Sequence, residues 1–160
     1  MQTAKLGVHE LAGYMNTHGI LGEILHLSVP TPTVDAAALA VNAMPEQIIK
    51  SILFMVDGQP VLAVSCGKSS IERRAIADLY GVGKKRVKLA TPEMVLEISG
   101  YEVGAMPPFG HRQPLTTLID PRVLDSSESY AGGGAENALV RLNPQEILRV
   151  TGAKVLDLIE

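Results

Sequence analysis

The sequence predicts a mixed α/β fold: a single domain over residues 1–160, with a curved, largely antiparallel mixed sheet flanked by helices. Three observations point there. Segments of helical and strand period alternate along the whole chain, with no Ser-, Gly- or Pro-rich linker and no solenoid-length repeat. Asp57-Gly58 between two apolar runs is a strong hairpin signal, which a doubly wound parallel sheet does not need. Of 160 residues, 46% are apolar and 19% charged, enough to bury a core without disulfides or metal.

The elements follow in order. Val8, Leu11, Ala12 and Met15 share one helical face, and Gly19 sits where a left-handed residue would end that helix. Residues 23–29 alternate outward and inward, as a strand does. Pro30-Thr31-Pro32-Thr33 is a loop before an alanine-rich helix from about Asp35 to Val41. Residues 45–50 read as a short helix with Pro45 at its first position. Residues 51–56 and 60–65 are the hairpin strands. Ser69 or Ser70 caps a helix through Ile71, Ala75, Ile76 and Leu79, closed by Gly81. Residues 87–90 form a short strand, and Thr91-Pro92-Glu93 then opens a helix ending near Gly100. Residues 104–110, with two prolines between glycines, are a rigid loop. Residues 115–119 are a strand, and Gly132-Gly133-Gly134 turn the chain into another at 138–142. Asn143-Pro144-Gln145-Glu146 is a capping-box-like start to the last helix, before a final strand at 155–159.

Charge and cysteine content narrow the function. Fourteen Lys and Arg stand against seventeen Asp and Glu, a net charge of −3. A broad basic face for gripping duplex nucleic acid is therefore excluded, and DNA is not an expected partner; local recognition of a nucleic-acid end is not excluded. Cys66, the only cysteine, makes neither an internal disulfide nor a cysteine-rich metal site, which fits a reducing, cytoplasmic setting. The first ten residues lack the layout of a secretion signal, and apolar runs such as 51–56 are strand-sized, so no membrane association is expected.

A few residues have more than one reading. Lys50 is the only charge between residues 48 and 56. It suits a helix terminus, or a stem lying along the core with its head in water; the functional alternative is an ammonium aimed into a cleft at an anion or polarised oxygen. The proline-braced 104–110 loop is equally a tight connection or a stiff platform presenting its amides to a ligand. The triple glycine reads as a hairpin or bulge turn, because it lacks the lysine and hydroxyl of a P-loop and precedes a strand. Thr33 reads first as a helix cap and second as a substrate-facing hydroxyl. The four histidines have no ligand spacing, so neither metal nor cofactor is expected. His111, just after the loop, is the only one placed to carry a proton, with a solvated loop side chain as the plainer reading. Cys66 reads as a small buried side chain, and Lys84-Lys85-Arg86 with Lys88 as a solvated turn or a landing point for phosphates.

In this order the pieces resemble the YbaK / prolyl-tRNA-synthetase-associated editing-domain family of aminoacyl-tRNA deacylases. The likeness covers nearly the whole chain. It rests on the residues from Pro30 to Val34, on Ile49-Lys50-Ser51-Ile52-Leu53 before the hairpin, and on the run from Gly100 to Pro108; it continues through Leu118-Ile119-Asp120, the triple glycine and Leu142-Asn143-Pro144. The resemblance implies a single α/β domain that hydrolyses mischarged aminoacyl-tRNA. The family lysine falls on Lys50 and its G-x-x-x-P loop on residues 104–108, with Lys50 and Gly104 as the catalytic pair. Thr33, Met106, Pro107, Pro108, His111, Gly133 and Asn137 are then the substrate-binding candidates, Met106 as a wall selecting small amino acids. An aminoacyl ester is already activated, so positioned water and a stabilised oxyanion suffice, with no protein nucleophile or metal; in parts of the family the substrate's own 2′-hydroxyl assists. The implied partner is the acceptor end of an aminoacyl-tRNA, a prolyl tRNA among the candidates, with a synthetase as a further candidate partner.

There is one departure. Where some members carry an acidic or histidine side chain, Ala138-Leu139-Val140 is apolar, with Glu136 and Asn137 displaced toward the turn, which bears on amino-acid specificity. A freestanding trans-editing hydrolase is the leading expectation. The alternative is a non-catalytic module of the same fold that binds an aminoacyl group, a nucleotide or a partner protein; Lys50 together with an intact 104–108 loop favours the hydrolase.

Overall fold

Local capping chemistry sets the helix ends much as the sequence indicates. The structure, a computed structural model, describes residues 4–159; residues 1–3 of the stretch read for a secretion signal, and residue 160, lie outside it. Helix α1 (Val8–Thr17) is followed by Gly19 at φ +60°. Helix α2 (Val34–Val41) is capped by Thr33, whose Oγ1 accepts from Ala36 N at 3.0 Å. Helix α3 (Arg73–Tyr80) ends on left-handed Gly81. Helix α4 (Pro92–Ser99) starts from Thr91, whose Oγ1 accepts from Met94 N at 3.2 Å, and ends on left-handed Gly100. Helix α5 (Gln145–Thr151) ends on Gly152.

The mixed sheet is realised as two sheets. Strands β1 (Gly22–His26), β6 (Ser129–Gly132) and β7 (Ala138–Leu142) pair antiparallel in the order β1-β7-β6. Strands β2 (Ile49–Val56), β3 (Gln59–Cys66), β4 (Val87–Leu89), β5 (Thr116–Ile119) and β8 (Lys154–Val155) pair in the order β4-β2-β3-β5-β8. The β2–β3 and β2–β4 pairs are antiparallel, whereas β3–β5 and β5–β8 are parallel. A parallel bridge from Ile48 to Tyr130 links the two sheets at the start of β2. The β2–β3 hairpin turns on Asp57 (φ +50°) and Gly58 (φ +85°), the pair of positive φ values that a two-residue turn between right-twisted strands demands.

Both faces of the larger sheet are covered, which is why β2 and β3 read as continuous apolar runs. Leu53, Leu62 and Val64 face a core containing Leu11, Tyr101, Phe109 and Ile147. Phe54, Val61 and Ala63 face a second core with Ile76, Leu118 and Leu158. A third, smaller cluster packs Ala37 and Ala38 of α2 on Ile48, Tyr130 and Leu139. Each fully buried aliphatic side chain contributes about 1.5–3 kcal/mol of transfer free energy.

Several expectations are corrected. Ala12 is exposed, and α1 buries only Leu11 and Met15. Strand β1 ends at His26, and Ile24 and Leu25 are both half-buried because they face different core clusters. The helix expected at 45–50 is one 3-10 turn, Pro45–Gln47; pairing with β3 runs back to Ile49, so Lys50 is a strand residue opposite Ser65. Helix α3 is capped by Glu72, which accepts from Arg74 N at 3.0 Å, because Ile71 is held extended by a bridge to Ile159. Strand β6, missed by the sequence reading, is four residues rich in Ala, Gly and Ser, with little β signal of its own. At α5, Asn143 Oδ1 accepts from Gln145 N (2.9 Å), but Glu146 turns away to accept from Leu21 N (2.8 Å). The final strand is reduced to Lys154–Val155.

Asp120 ties the far end of the larger sheet together. Its buried carboxylate accepts from Arg122 N (2.8 Å), from Arg122 Nη1 (2.9 Å) and from Leu158 N (2.8 Å), joining the end of β5 to the C-terminal segment. Asp120→Ala removes the acceptor from both backbone donors, at about 1–3 kcal/mol for each one left buried without a partner. Urea denaturation should show about 2 kcal/mol or more of destabilisation; an unchanged midpoint would mean that these bonds are replaceable.

Candidate functional site

The cleft that gathers the expected residues arises from a pairing mismatch. Strand β4 pairs with β2 only at Phe54–Val56, so the edge of β2 from Ile49 to Leu53 runs on past it. There a cleft of about 270 Å³ opens between the start of β2, the Thr31–Val34 approach to α2, and the loop at Val103–Met106. Of the expected residues, Thr33, Lys50, Gly104 and Met106 line it. An apolar annex of about 150 Å³ adjoins it, sharing Ser51, Ile52, Val103, Gly104 and Met106.

Lys50 is half-buried, and its Nζ donates to Ser69 O at 2.7 Å. No carboxylate lies within ion-pair distance of it among the described residues. Burial lowers its pKa, with Cys66 pulling weakly the other way. The cleft therefore holds a partly desolvated cation with N–H donors to spare. Across from it, Gly104 has φ +87°, and a Cβ built there would meet nothing within 4 Å, so the missing side chain faces open space. A cation and a bare left-handed peptide on one cleft can hold a carbonyl oxygen or phosphate closely.

The triple glycine turns out to be a dock for this loop. A Cβ on Gly132 would come within 2.4 Å of Met106 O, and one on Gly133 within 2.7 Å of Ala138 O. Gly134 N donates to Ala105 O at 2.9 Å. Gly132 lines the cleft, whereas Gly133 packs on Ala138 outside the lining. Pro107 and Pro108 are buried and back the loop without lining it. Asn137 also stands behind the site: its Nδ2 donates to Leu27 O (3.3 Å) and its own carbonyl accepts from Leu27 N (2.7 Å).

His111 is half-buried and lies outside the cleft. It lines a different cavity, of about 310 Å³, with Tyr14, His18 and Phe109. Its Nε2 pairs with Pro107 O at 2.7 Å, and since a carbonyl only accepts, Nε2 carries the proton. Burial pushes its pKa down to about 4, against a smaller upward pull from that bond. It is a neutral strut behind the loop. Cys66 is buried, its thiol pushed up to about 11 by burial first, then by neighbouring carboxylates. In the basic cluster, Arg86 pairs with Asp57 (2.7 Å) and Lys84 with Glu72 (3.9 Å), and none of the cluster lines the cleft. No three His, Cys, Asp or Glu side chains converge as a metal site among the described residues, and no helix there is long and apolar enough to cross a membrane.

Among the lining residues that sequence reasoning does not single out are Gly132 and Ser51. Gly132 was hidden in a glycine run whose docking role only tertiary contact reveals. Ser51 Oγ is buried without a hydrogen-bond partner among the described residues; the signal was one polar side chain beside Lys50 in an otherwise apolar run.

The aminoacyl-tRNA editing domain family matches residues 28–150, which include the whole cleft. The chain belongs to that family. A solved structure of a protein proposed as a trans-editing enzyme for prolyl tRNA synthetase superposes on this editing domain with a TM-score of 0.88, at 35% identity over 96% of each chain. The hypothetical protein APE2540 superposes with a TM-score of 0.87, at 29% identity over 94% of this chain and 99% of that one. In sequence, the domain is 25% identical to the uncharacterized protein YwhH of Bacillus subtilis over 83% of each. It is 28% identical to a proline–tRNA ligase of Streptococcus suis over 69% of this chain, which spans only 18% of that ligase.

Because His111 is held neutral when folded, its folded pKa of about 4 lies below the ordinary value near 6.5. Between those values the unfolded chain binds more protons, so the contribution of His111 is complete above pH 6.5 and is lost as pH falls toward 4. Denaturation midpoints of the editing domain and His111→Asn across this window should converge on acidification; parallel curves would rule out a buried neutral imidazole.

Proposed function

We propose that this editing domain is a freestanding, cytoplasmic trans-editing hydrolase, residues 1–160 acting as one domain, that deacylates mischarged aminoacyl-tRNA carrying a small amino acid, prolyl acceptors among its substrates. The reading rests on one observation above all: in a chain of the editing family, the partly desolvated Lys50 ammonium and the open face of Gly104 line the same cleft. The proline–tRNA ligase relatives and the solved structure likened to a prolyl-tRNA trans-editing enzyme support the tRNA class. A net charge of −3 favours a grip confined to the acceptor end, with a synthetase as candidate partner for the rest of the tRNA.

The chemistry asks little of the protein. Water adds to the ester carbonyl carbon, the carbonyl oxygen becomes an oxyanion, and the bond to the ribose oxygen breaks as that oxygen takes a proton. Lys50 holds the carbonyl oxygen or the terminal phosphate with its free N–H donors, and the stiff 104–108 loop brings backbone against the ester. Met106 and the apolar annex limit side-chain size. One methylene is worth only about 1–3 kcal/mol to a synthetase pocket, so a second site for small wrong products has clear use. Thr33, already engaged as the α2 cap, shapes the mouth. Pro107, Pro108, His111, Gly133 and Asn137 act by holding the walls, and no cofactor enters the scheme.

Deacylation of a panel of small aminoacyl-tRNAs, including mischarged prolyl acceptors, tests the reading. Hydrolysis above background of at least one member is expected; a panel left intact would overturn it. Lys50→Ala should abolish turnover while circular dichroism stays native. In the wild type, the lowered lysine pKa should place the alkaline loss of activity below pH 10.5, the ordinary lysine value. Full activity of the alanine variant would remove Lys50 from the mechanism.

Gly104→Val should cost about 100-fold or more in single-turnover rate, the scale of one lost oxyanion donor. The side chain would force a φ that β-branched residues avoid and would fill the cleft. His111→Ala, which loosens only the back of the loop, should cost less. A near-normal Gly104 variant beside a dead His111 variant would move the chemistry to the other cavity.

A further inference from the structure

An ion pair between two exposed side chains stands beside the cleft. Lys68 Nζ lies 3.4 Å from Asp35 Oδ2, and the two side chains are 63% and 67% exposed. Asp35 is in the first turn of α2, between Val34 and Ala37, which both line the cleft. Lys68 follows β3 in a segment tied twice to the start of β2. Gly67 N donates to Ile48 O at 3.0 Å, and Ser69 O accepts from Lys50 Nζ at 2.7 Å. The segment that holds the Lys50 ammonium therefore presents a second ammonium, open to solvent, at its next residue.

Direction, charge and energy point to one occupant. The annex adjoins the Ser51–Leu53 end of the exposed β2 edge, whereas the approach to α2 and residues 48–50 form the other end of the cleft. On the deacylase reading, the ester carbonyl lies by Lys50 and Gly104 and the amino-acid side chain enters the annex. The ribose then leaves toward the α2 end, and its 5′ phosphate and the single strand behind it pass the Asp35–Lys68 pair. Lys50 is the only cation lining the cleft, and none of the 84–88 basic cluster lines cleft or annex, so Lys68 is the cation that adjoins this exit. On its other side the 67–69 segment borders a hollow of about 430 Å³, where Glu46 and Asp125 offset Lys68 and Arg122, which makes the hollow a poor route for a polyanion. An exposed ion pair contributes little to stability, and a lysine ammonium on its flexible stem can exchange a carboxylate for a phosphate without disturbing the fold.

We propose that Lys68 is a phosphate anchor for the single-stranded 3′ end of the tRNA, and that Asp35 holds its ammonium beside the cleft until a phosphate replaces the carboxylate. The anchor rests on the aminoacyl-tRNA reading, but its test needs no ester. The probe is an uncharged, fluorescently labelled acceptor-stem RNA hairpin ending in CCA, titrated with the full chain by anisotropy across a salt series. Lys68→Ala should weaken binding about threefold or more and lower the slope of log affinity against log salt by about 0.7, the value of one single-strand phosphate contact. Lys68→Arg should restore both. Asp35→Asn, which removes the competing carboxylate, should tighten binding about twofold or more at low salt, where exposed charges are least screened. A hairpin without the CCA overhang should bind wild type and variants alike. Thermal melts of all variants should stay near the wild-type midpoint.

The opposite signs separate an anchor from a brace, because breaking a structural ion pair from either side acts alike. Weakening by both Lys68→Ala and Asp35→Asn, no change in Lys68→Ala, or no overhang-dependent binding by the wild type would overturn the anchor. If the anchor fails while the tRNA panel is still hydrolysed, the deacylase reading stands without it. If the opposite signs appear but no ester is hydrolysed, the anchor stands and the hydrolytic reading falls.

Discussion

The site depends on how early β4 stops. Its last rung onto β2 is the bond from Ala90 N to Leu53 O, after which Thr91 caps α4 and Pro92 occupies its first position. Proline has no N–H and cannot extend a ladder, and a capped helix start turns the chain away from the sheet. Three residues thus decide that β2 is paired along its whole length on the β3 side and along only its second half on the other. The uncovered half carries Lys50 and Ser51, and the cleft is the space a longer β4 would have filled.

Both walls of that space hang on one short connection, residues 133–137 between β6 and β7. On one side, Gly134 N holds Ala105 O, and Gly132 packs so closely on Met106 O that no larger residue fits. On the other, the carbonyls of Glu136 and Asn137 accept from Thr31 N (3.0 Å) and Leu27 N (2.7 Å), fixing the segment that leads into α2. His111 props the loop from behind through Pro107 O, and Tyr101 Oη donates to Gly110 O at 3.3 Å. Each bond is worth on the order of 1 kcal/mol net, so no single one determines the loop. Three of them, at Gly134, Glu136 and Asn137, meet on the five residues of the turn, which thereby ties the two walls of the cleft together.

What was legible in the sequence is what local chemistry governs. Thr33, Thr91, Gly81, Gly100 and the Asp57-Gly58 turn act through neighbours a few residues away, and each does what its type suggests. The failures are non-local. Ser69 and Ser70 are good caps by type, yet the bridge of Ile71 to Ile159 hands the role to Glu72. His111 follows a loop and so reads as solvated, but it packs edge-on with Tyr101 and is tied to Pro107 O, which leaves it half-buried. Four residues of β6 carry too little β propensity to be seen, so the division into two sheets was hidden as well. At the site, the resemblance located Lys50 and the 104–108 loop, while the docking role of the glycines required knowing what lies 2.4 Å from Gly132.

Whether Lys50 belongs to a helix or a strand has a chemical consequence. At a helix end its charge would sit against the negative pole of the dipole, hydrated and with its proton held more tightly than an ordinary lysine's. In the strand its stem runs beside the covered core, its head reaches Ser69 O, and burial lowers its pKa. A less hydrated ammonium gives up less water when it meets an oxygen of the ligand, so more of that contact survives as net attraction. The hairpin register that draws residue 50 into β2 is therefore what half-buries its cation, and on the proposed hydrolase reading that is what suits it to an oxygen of the substrate.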